Sequence, residues 1–291
     1  MCVQRATSWE ADSQGEERVA RACVSRGRPS SQRPGQIAAA LLVVLAVVIG
    51  VPAPATGQIA DPGAVPGPTV LDPMSALTEP GDAVRLSDEQ KVSRWAHATD
   101  VHPIRAQAST SARTITRLRY FTEDRLPEVY LVLEGKLDAA GAPWLRIRIP
   151  MRPNGRTGWV PADTLSQLYV VRTKLLVDRT RKRATLYKDG RTVWQAPVGI
   201  GKIGTPTPRG NFYVRELLKG DGRVYGTWAF GTSAYSSISD WPNGGVVGIH
   251  GTNQPQLIPG RPSAGCVRVR NAKINQLKRL MPIGTPVEVV R

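Results

Sequence analysis

Apolar and polar positions from about residue 114 onward in this 291-residue chain follow a short, strand-like rhythm. Thr114-Ile115-Thr116-Arg117-Leu118, Val129-Tyr130-Leu131-Val132-Leu133, Trp144-Leu145-Arg146-Ile147-Arg148-Ile149 and Thr157-Gly158-Trp159-Val160 are β-branched or aromatic runs. Asp-Ala-Ala-Gly and Pro-Asn-Gly turns divide them, which predicts a small β-barrel over residues 95–168. A second group, residues 169–291, repeats the rhythm: strands are expected at Leu168–Val171, Lys174–Val177, Ala184–Tyr187, Thr192–Gln195, Asn211–Arg215 and Pro286–Val290. Asp189-Gly190 is the hairpin signal between two of them. Val246, Val247 and Ile249 predict a strand that delivers His250 to its end. The period changes to that of a helix only after Asn271, where Ile274, Leu277, Leu280 and Met281 fall on one stripe, Asn271 is the expected N-cap and Lys278 and Arg279 suit the C-terminal end. The reading is a mainly β protein with one clear C-terminal helix.

The N-terminus has a different pattern. Ile37 to Val51 is uninterrupted apolar sequence behind Arg26, Arg28 and Arg33, and Ala53-Pro54-Ala55 follows as a small-x-small cleavage pattern. The run is short for a bilayer span, which needs about 20 residues. Residues 1–55 are therefore expected to be an export signal cut after Ala55, with a retained N-terminal anchor as the alternative and the only membrane contact of the chain. Residues 56–94 are rich in Pro and Gly without periodicity and are expected to be a disordered linker.

Composition sharpens three points. The length suits about two domains, and 28 Gly and 24 Pro with only 6% aromatic residues favour a turn-rich β protein. A net charge of +16 suits either attraction to anionic wall polymers or a merely solvated basic surface, and no nucleic-acid motif accompanies it. Cys2 and Cys23 precede the apolar run, so Cys266 would be the one exported cysteine, unable to form an internal disulfide. Its presence then points to reactivity; a buried cysteine acting as a small hydrophobe is the bland alternative.

Residues 246–271, VVGIHGTNQPQLIPGRPSAGCVRVRN, gather the candidate chemistry. His250 stands at a strand end, a Gly- and Pro-rich loop follows, and Gly265 lets backbone amides approach a bound carbonyl. If Cys266–Arg270 is extended, Cys266, Arg268 and Arg270 share one face while Val267 and Val269 face the core. A thiol beside guanidinium groups is expected to be pushed toward thiolate. His97 and His102 have no metal-type neighbours in sequence, and neither a metal nor a cofactor is expected.

Two resemblances follow from these residues. The strands of 95–168 with their closing Gly-Trp-Val-Pro resemble bacterial SH3-like wall-associated domains. GTPTPRGNF, GIHGT and SAGCVRVRN, followed by a helix and a Gly-Thr-Pro-Val-x-Val strand, resemble the L,D-transpeptidase (YkuD-like) catalytic domain over residues 169–291. The usual family signature, Ser-His-Gly-Cys, carries a histidine where this chain has Ala264. The resemblance implies an exported acyltransferase acting on peptidoglycan stem peptides. Cys266 would be the nucleophile and His250 the base, Gly265 and Cys266 amides would form the oxyanion hole and Ser263 would orient His250. Arg268 and Gly251 would lie on the substrate side. It further implies release of a terminal D-alanine from a tetrapeptide stem and formation of 3-3 cross-links. A hydrolytic L,D-carboxypeptidase of the same fold and a non-enzymatic wall-binding protein are the alternatives. Papain-like wall peptidases place cysteine before histidine, opposite to the order here, and sortases carry a Thr-Leu-x-Thr-Cys context that this chain lacks.

Overall fold

The computed structural model describes residues 77, 80, 81, 83–238 and 242–291, all within one compact unit spanning 65–291. The expected export signal and most of the expected linker lie outside the described residues. Among the described residues no helix is long and apolar enough to cross a membrane.

Two antiparallel-rich sheets make up the fold. The first has eight strands, in the order Thr114–Arg117, Pro103–Arg105, Thr157–Pro161, Pro143–Arg148, Val129–Leu137, Ser93–His97, Tyr169–Val171, with Val84–Arg85 joining at Val129–Leu137. All four strands expected between residues 114 and 160 are present. The end of the expected linker, however, is folded: Val84 and Arg85 pair with Gly135 and Glu134, and Leu86 is buried. The Asp88 carboxylate accepts the amides of Gln90, Lys91 and Val92, which closes a turn into the Ser93 strand. A two-residue strand among prolines and glycines has too little periodicity to read. Tyr169–Val171 also differs from expectation, because it pairs with Ser93–Trp95 and so closes the first sheet rather than opening the second.

The second sheet has ten strands, running Arg191–Pro197, Arg183–Lys188, Thr173–Asp178, Pro286–Val290, Gly210–Lys219, Trp228–Tyr235, Val246–His250, Val267–Arg268, Gly199–Gly201, Gly260–Ser263. Leu186 and Trp194 from one end of this path share a core with Ile249 and Val267 from the other, so the sheet curves around a single interior. The Asp189-Gly190 turn has positive φ at both residues, as a hairpin of this type requires. The helix, Asn271–Leu280, drops Ile274 and Leu277 into the same core. Each such burial is worth about 1.5–3 kcal/mol. Leu280, expected on the buried stripe, is exposed instead, while Met281 just beyond the helix is buried.

Two strands carry consecutive apolar residues, Val129–Leu133 and Phe212–Val214, for a shared reason. In Val129–Leu137, Tyr130 and Val132 face the core of the first sheet, whereas Val129 and Leu131 face Tyr213 of the second. In Gly210–Lys219, Phe212 and Val214 face the second core while Tyr213 faces back. Each strand is therefore covered on both sides and needs no polar face. Tyr213 Oη donates to the Val129 carbonyl at 2.8 Å, and the fully buried Arg215 guanidinium grips the Glu128 carboxylate with two nitrogens. Asn154 exchanges two hydrogen bonds with the Tyr235 backbone, and Arg152 donates to the Ser236 carbonyl at 2.9 Å.

Candidate active site

His250 ends its strand as expected and is 2% exposed. Val267–Arg268 lies parallel beside it, pairing Ile249 with Val267 and His250 with Arg268. This register sets Cys266 alongside Gly248, whose N–H donates to Cys266 Sγ at 3.4 Å. The imidazole leans over the same residue: a Cβ on Gly248 would stand 3.7 Å from His250 Cδ2. Thiol and imidazole thus both lie against Gly248, where an added Cβ would make only an ordinary van der Waals contact with the ring. The valines of the Cys266 segment are buried and the arginines are not, which is the predicted alternation.

A carbonyl cannot donate, so the 2.6 Å contact between His250 Nδ1 and the Gly251 carbonyl assigns the proton to Nδ1. Nε2 is then the basic nitrogen. Gly251 is itself fixed, since its N–H donates to the Trp228 carbonyl and a Cβ there would strike Asn271 Oδ1. Tyr225 packs edge-on against the imidazole with ring centroids 5.1 Å apart. Burial pulls the His250 pKa down to about 4 and Arg268 adds to the fall, while the Gly251 hydrogen bond and Asp221 oppose it. The imidazole is neutral near pH 7.

Burial also raises the pKa of the Cys266 thiol; the Gly248 N–H and Arg268 pull the other way without prevailing. The expected push of the guanidinium toward thiolate is present, but desolvation of the thiol against this wall outweighs it. Arg268 spends one nitrogen on Gln254 Oε1 at 2.9 Å, and its buried Nε has no partner.

Three residues sit differently from their expected roles. Ser263 does not orient His250, because its hydroxyl donates to the Cys266 carbonyl at 2.6 Å and accepts the Gly265 N–H. The Gly251 carbonyl holds the imidazole instead. The Gly265 amide, expected at an oxyanion hole, is taken by that serine; what Gly265 supplies is a φ of +131° that turns the chain into Cys266. Asn271 is the first residue of the helix rather than its cap, and its Oδ1 accepts the Thr252 N–H at 3.0 Å. It ties the helix start to the loop after His250. Ala264 offers only its carbonyl, which accepts from Ser236 Oγ at 2.8 Å.

Cys266 and His250 line a pocket of about 410 Å³ whose wall also includes Tyr225, Glu216 and Asp124. Glu216 was not singled out from sequence, although a charged Arg-Glu pair inside the apolar run Phe212–Leu218 was a signal available there. Asp124 reaches the pocket from the first sheet's half of the chain, a placement that no local pattern encodes.

The L,D-transpeptidase catalytic domain model of the YkuD family matches residues 172–289. The protein of Bacillus subtilis that bears the name L,D-transpeptidase YkuD is 31% identical over 123 residues, covering 42% of this chain and 69% of its own length. The L,D-transpeptidase ErfK/SrfK of Salmonella typhimurium is 32% identical over 139 residues, 41% of this chain and 45% of that protein. Among solved structures, the NMR structure of the catalytic domain from the E. faecium L,D-transpeptidase is 28% identical, with a TM-score of 0.31, covering 40% of this chain and 96% of that one. The Ldtfm-avibactam carbamoyl enzyme is 30% identical with a TM-score of 0.31, covering 41% of this chain and 49% of that one. With the matched segment taking in both the His250 strand and the Cys266 loop, the chain belongs to the L,D-transpeptidase family of the YkuD type.

Proposed function

We propose that this protein is an exported peptidoglycan acyltransferase that works through a thioester on Cys266. The observation that carries the reading is that the Cys266 thiol and the His250 imidazole both lie against Gly248, with the imidazole's Nδ1–H spent on Gly251 and Nε2 left as base. In the reaction, Nε2 takes the thiol proton as sulfur attacks the carbonyl carbon of the third stem residue, a diamino acid. The tetrahedral oxyanion falls to the Cys266 amide, since the Gly265 amide is engaged by Ser263. Collapse breaks the peptide bond, the imidazolium passes its proton to the departing D-alanine amine, and a thioester remains. A side-chain amine of a second stem then attacks the thioester, His250 takes up the amine proton, and release of the thiol leaves a 3-3 cross-link. Arg268 faces substrate carboxylate or stiffens the loop through Gln254. The eight-stranded half of the chain serves as a wall-associated module in this reading, and the apolar run Ile37–Val51 directs the chain out of the cytoplasm.

The test is incubation of the purified chain with tetrapeptide muropeptides and mass analysis of the products. Cross-linked dimers are expected from the wild type and none from Cys266→Ser, because loss of the nucleophile removes most of the rate enhancement. Trimmed monomers alone would mark a carboxypeptidase, and no change would leave a wall-binding protein. Dimer formation by Cys266→Ser at a near-normal rate overturns the assignment.

A further inference from the structure

Glu216 is 1% exposed, lines the same pocket as Cys266, and has a carboxylate oxygen, Oε2, with no hydrogen-bond partner. Thr122, buried in the preceding sheet's part of the chain, favours the charged form of the carboxyl group. The neighbouring Arg215 favours the charged form of Glu216 through its field, but its Nε and Nη2 hydrogen-bond Glu128 and Glu123, and its buried Nη1 has no partner. A buried carboxylate oxygen left unmatched is destabilising. The cost is sensible where a ligand supplies the missing donor.

Geometry connects this oxygen to the thiol. Glu216 pairs with Gly231, and Gly231 pairs with Gly248 on the next strand. The carboxyl lies across Gly231, where a Cβ would meet Glu216 Oε1 at 2.2 Å. Cys266 Sγ sits on the Gly248 N–H. Two glycines in register thus leave a floor bare of side chains between carboxylate and thiol, and paired residues on adjacent strands are about 4.5–5.5 Å apart. In a lysine-length diamino acid, six bonds separate the carbonyl carbon from the side-chain amine, about 7 Å when extended. With the carbonyl at Sγ, such a side chain laid along the glycine floor brings its ammonium to Glu216. Asp124 and Asp221 line the same pocket and add negative charge at its exposed rim, and the exposed Lys219 also lies there.

We infer that Glu216 is the specificity-determining residue for the donor stem, binding the side-chain ammonium of the diamino acid whose carbonyl Cys266 attacks. The inference rests on the acyltransfer reading above. Burial raises the Glu216 pKa to about 7, which an arriving ammonium would reverse by stabilising the charged form.

The test follows D-alanine released in the first turnover, before any acceptor amine matters. Tetrapeptide with a free side-chain amine is compared with the same peptide N-acetylated at that amine, on the wild-type chain and on Glu216→Gln. Acetylation is expected to raise the wild-type KM about ten- to a hundredfold, the usual worth of a charge-assisted hydrogen bond. Glu216→Gln is expected to lose that preference and to process the two peptides with similar KM. Equal KM for both peptides on the wild type overturns the inference without any variant, and so does a Glu216→Gln chain that discriminates as the wild type does. If the wild type releases no D-alanine from either peptide, the acyltransfer reading has failed, and the inference about Glu216 falls with it.

Discussion

At the residue scale, His250 and Cys266 begin the reaction uncharged, and the chemistry that follows differs from that of a resting ion pair. A preformed thiolate–imidazolium would alkylate at a rate nearly independent of pH around neutrality. The raised thiol here should react with iodoacetamide at a rate that climbs about tenfold per pH unit from pH 6 to beyond 8.5, the ordinary thiol value. Initial alkylation rates across that range, read by intact mass, decide the matter; a plateau between pH 6 and 8 would show the thiolate already formed. Substitution tests the base. His250→Ala is expected to lose about a hundred- to ten-thousandfold in turnover, the usual contribution of general acid–base catalysis. Adding Ala264→His to that variant is expected to leave it inactive, because position 264 meets Ser236 through its backbone while the imidazole must lean over Gly248. Recovery of turnover in the double variant would move the base to the loop beside the cysteine.

At the element scale, the His250 strand, the Cys266 strand and the helix hold one another. Asn271 is the joint between them: its Oδ1 takes the Thr252 N–H and lies against Gly226 and Gly251. Asn271→Ala leaves the buried Thr252 amide unmatched, which should cost about 1–3 kcal/mol in urea unfolding. The loss of activity should exceed what that destabilisation explains, because the Gly251 carbonyl that fixes the imidazole tautomer sits one residue away. Unchanged unfolding midpoints in this variant would show that water replaces the side chain without penalty. The strands and the helix around this joint were legible in the sequence because hydrophobic period is a local property. The role of Asn271 was not: an asparagine ahead of an apolar stripe reads as a cap, and only the approach of a loop 19 residues upstream in sequence gives its oxygen a better partner.

At the scale of the whole molecule, a buried ion pair links the two sheets. Arg215 and Glu128 both have fully buried side chains, and their pairing is bidentate. Removing one partner strands the other charge in the interior, so Arg215→Ala is expected to cost about 3–5 kcal/mol in denaturant unfolding. Replacing both, as Arg215→Met with Glu128→Leu, is expected to recover much of that loss, because a packed apolar pair escapes the desolvation penalty. If the single variant unfolds at the wild-type midpoint, the pair contributes nothing to holding the sheets together. Asn154 extends the same junction to Tyr235 and Arg152 extends it to Ser236, and Ser236 reaches the Ala264 carbonyl two residues before Cys266. Ser236 thereby links this junction to the loop that carries the nucleophile.

The sequence alone determined most of the strands, though not Ser93–His97 or Trp228–Tyr235, together with the hairpin at Asp189-Gly190, the helix, and the pairing of one histidine with one cysteine ahead of buried valines. These depend on periodicity, turn chemistry and residue type, which are written within a few neighbouring positions. Tertiary structure decided everything that depends on distant segments meeting. The folded stretch at Val84–Leu86 exists because Glu134 and Gly135 offer it a ladder partner. The Cys266 thiol pKa is raised because the surrounding strands desolvate it, an effect larger than that of Arg268 close by in sequence. Ser263 turned toward Cys266, and Gly251 toward His250, because strand register set which backbone atoms came within hydrogen-bond reach. Glu216 became part of the pocket because two glycines on neighbouring strands left its carboxylate facing the thiol across open space. Burial and register are sums over the whole fold, and no window of sequence contains them.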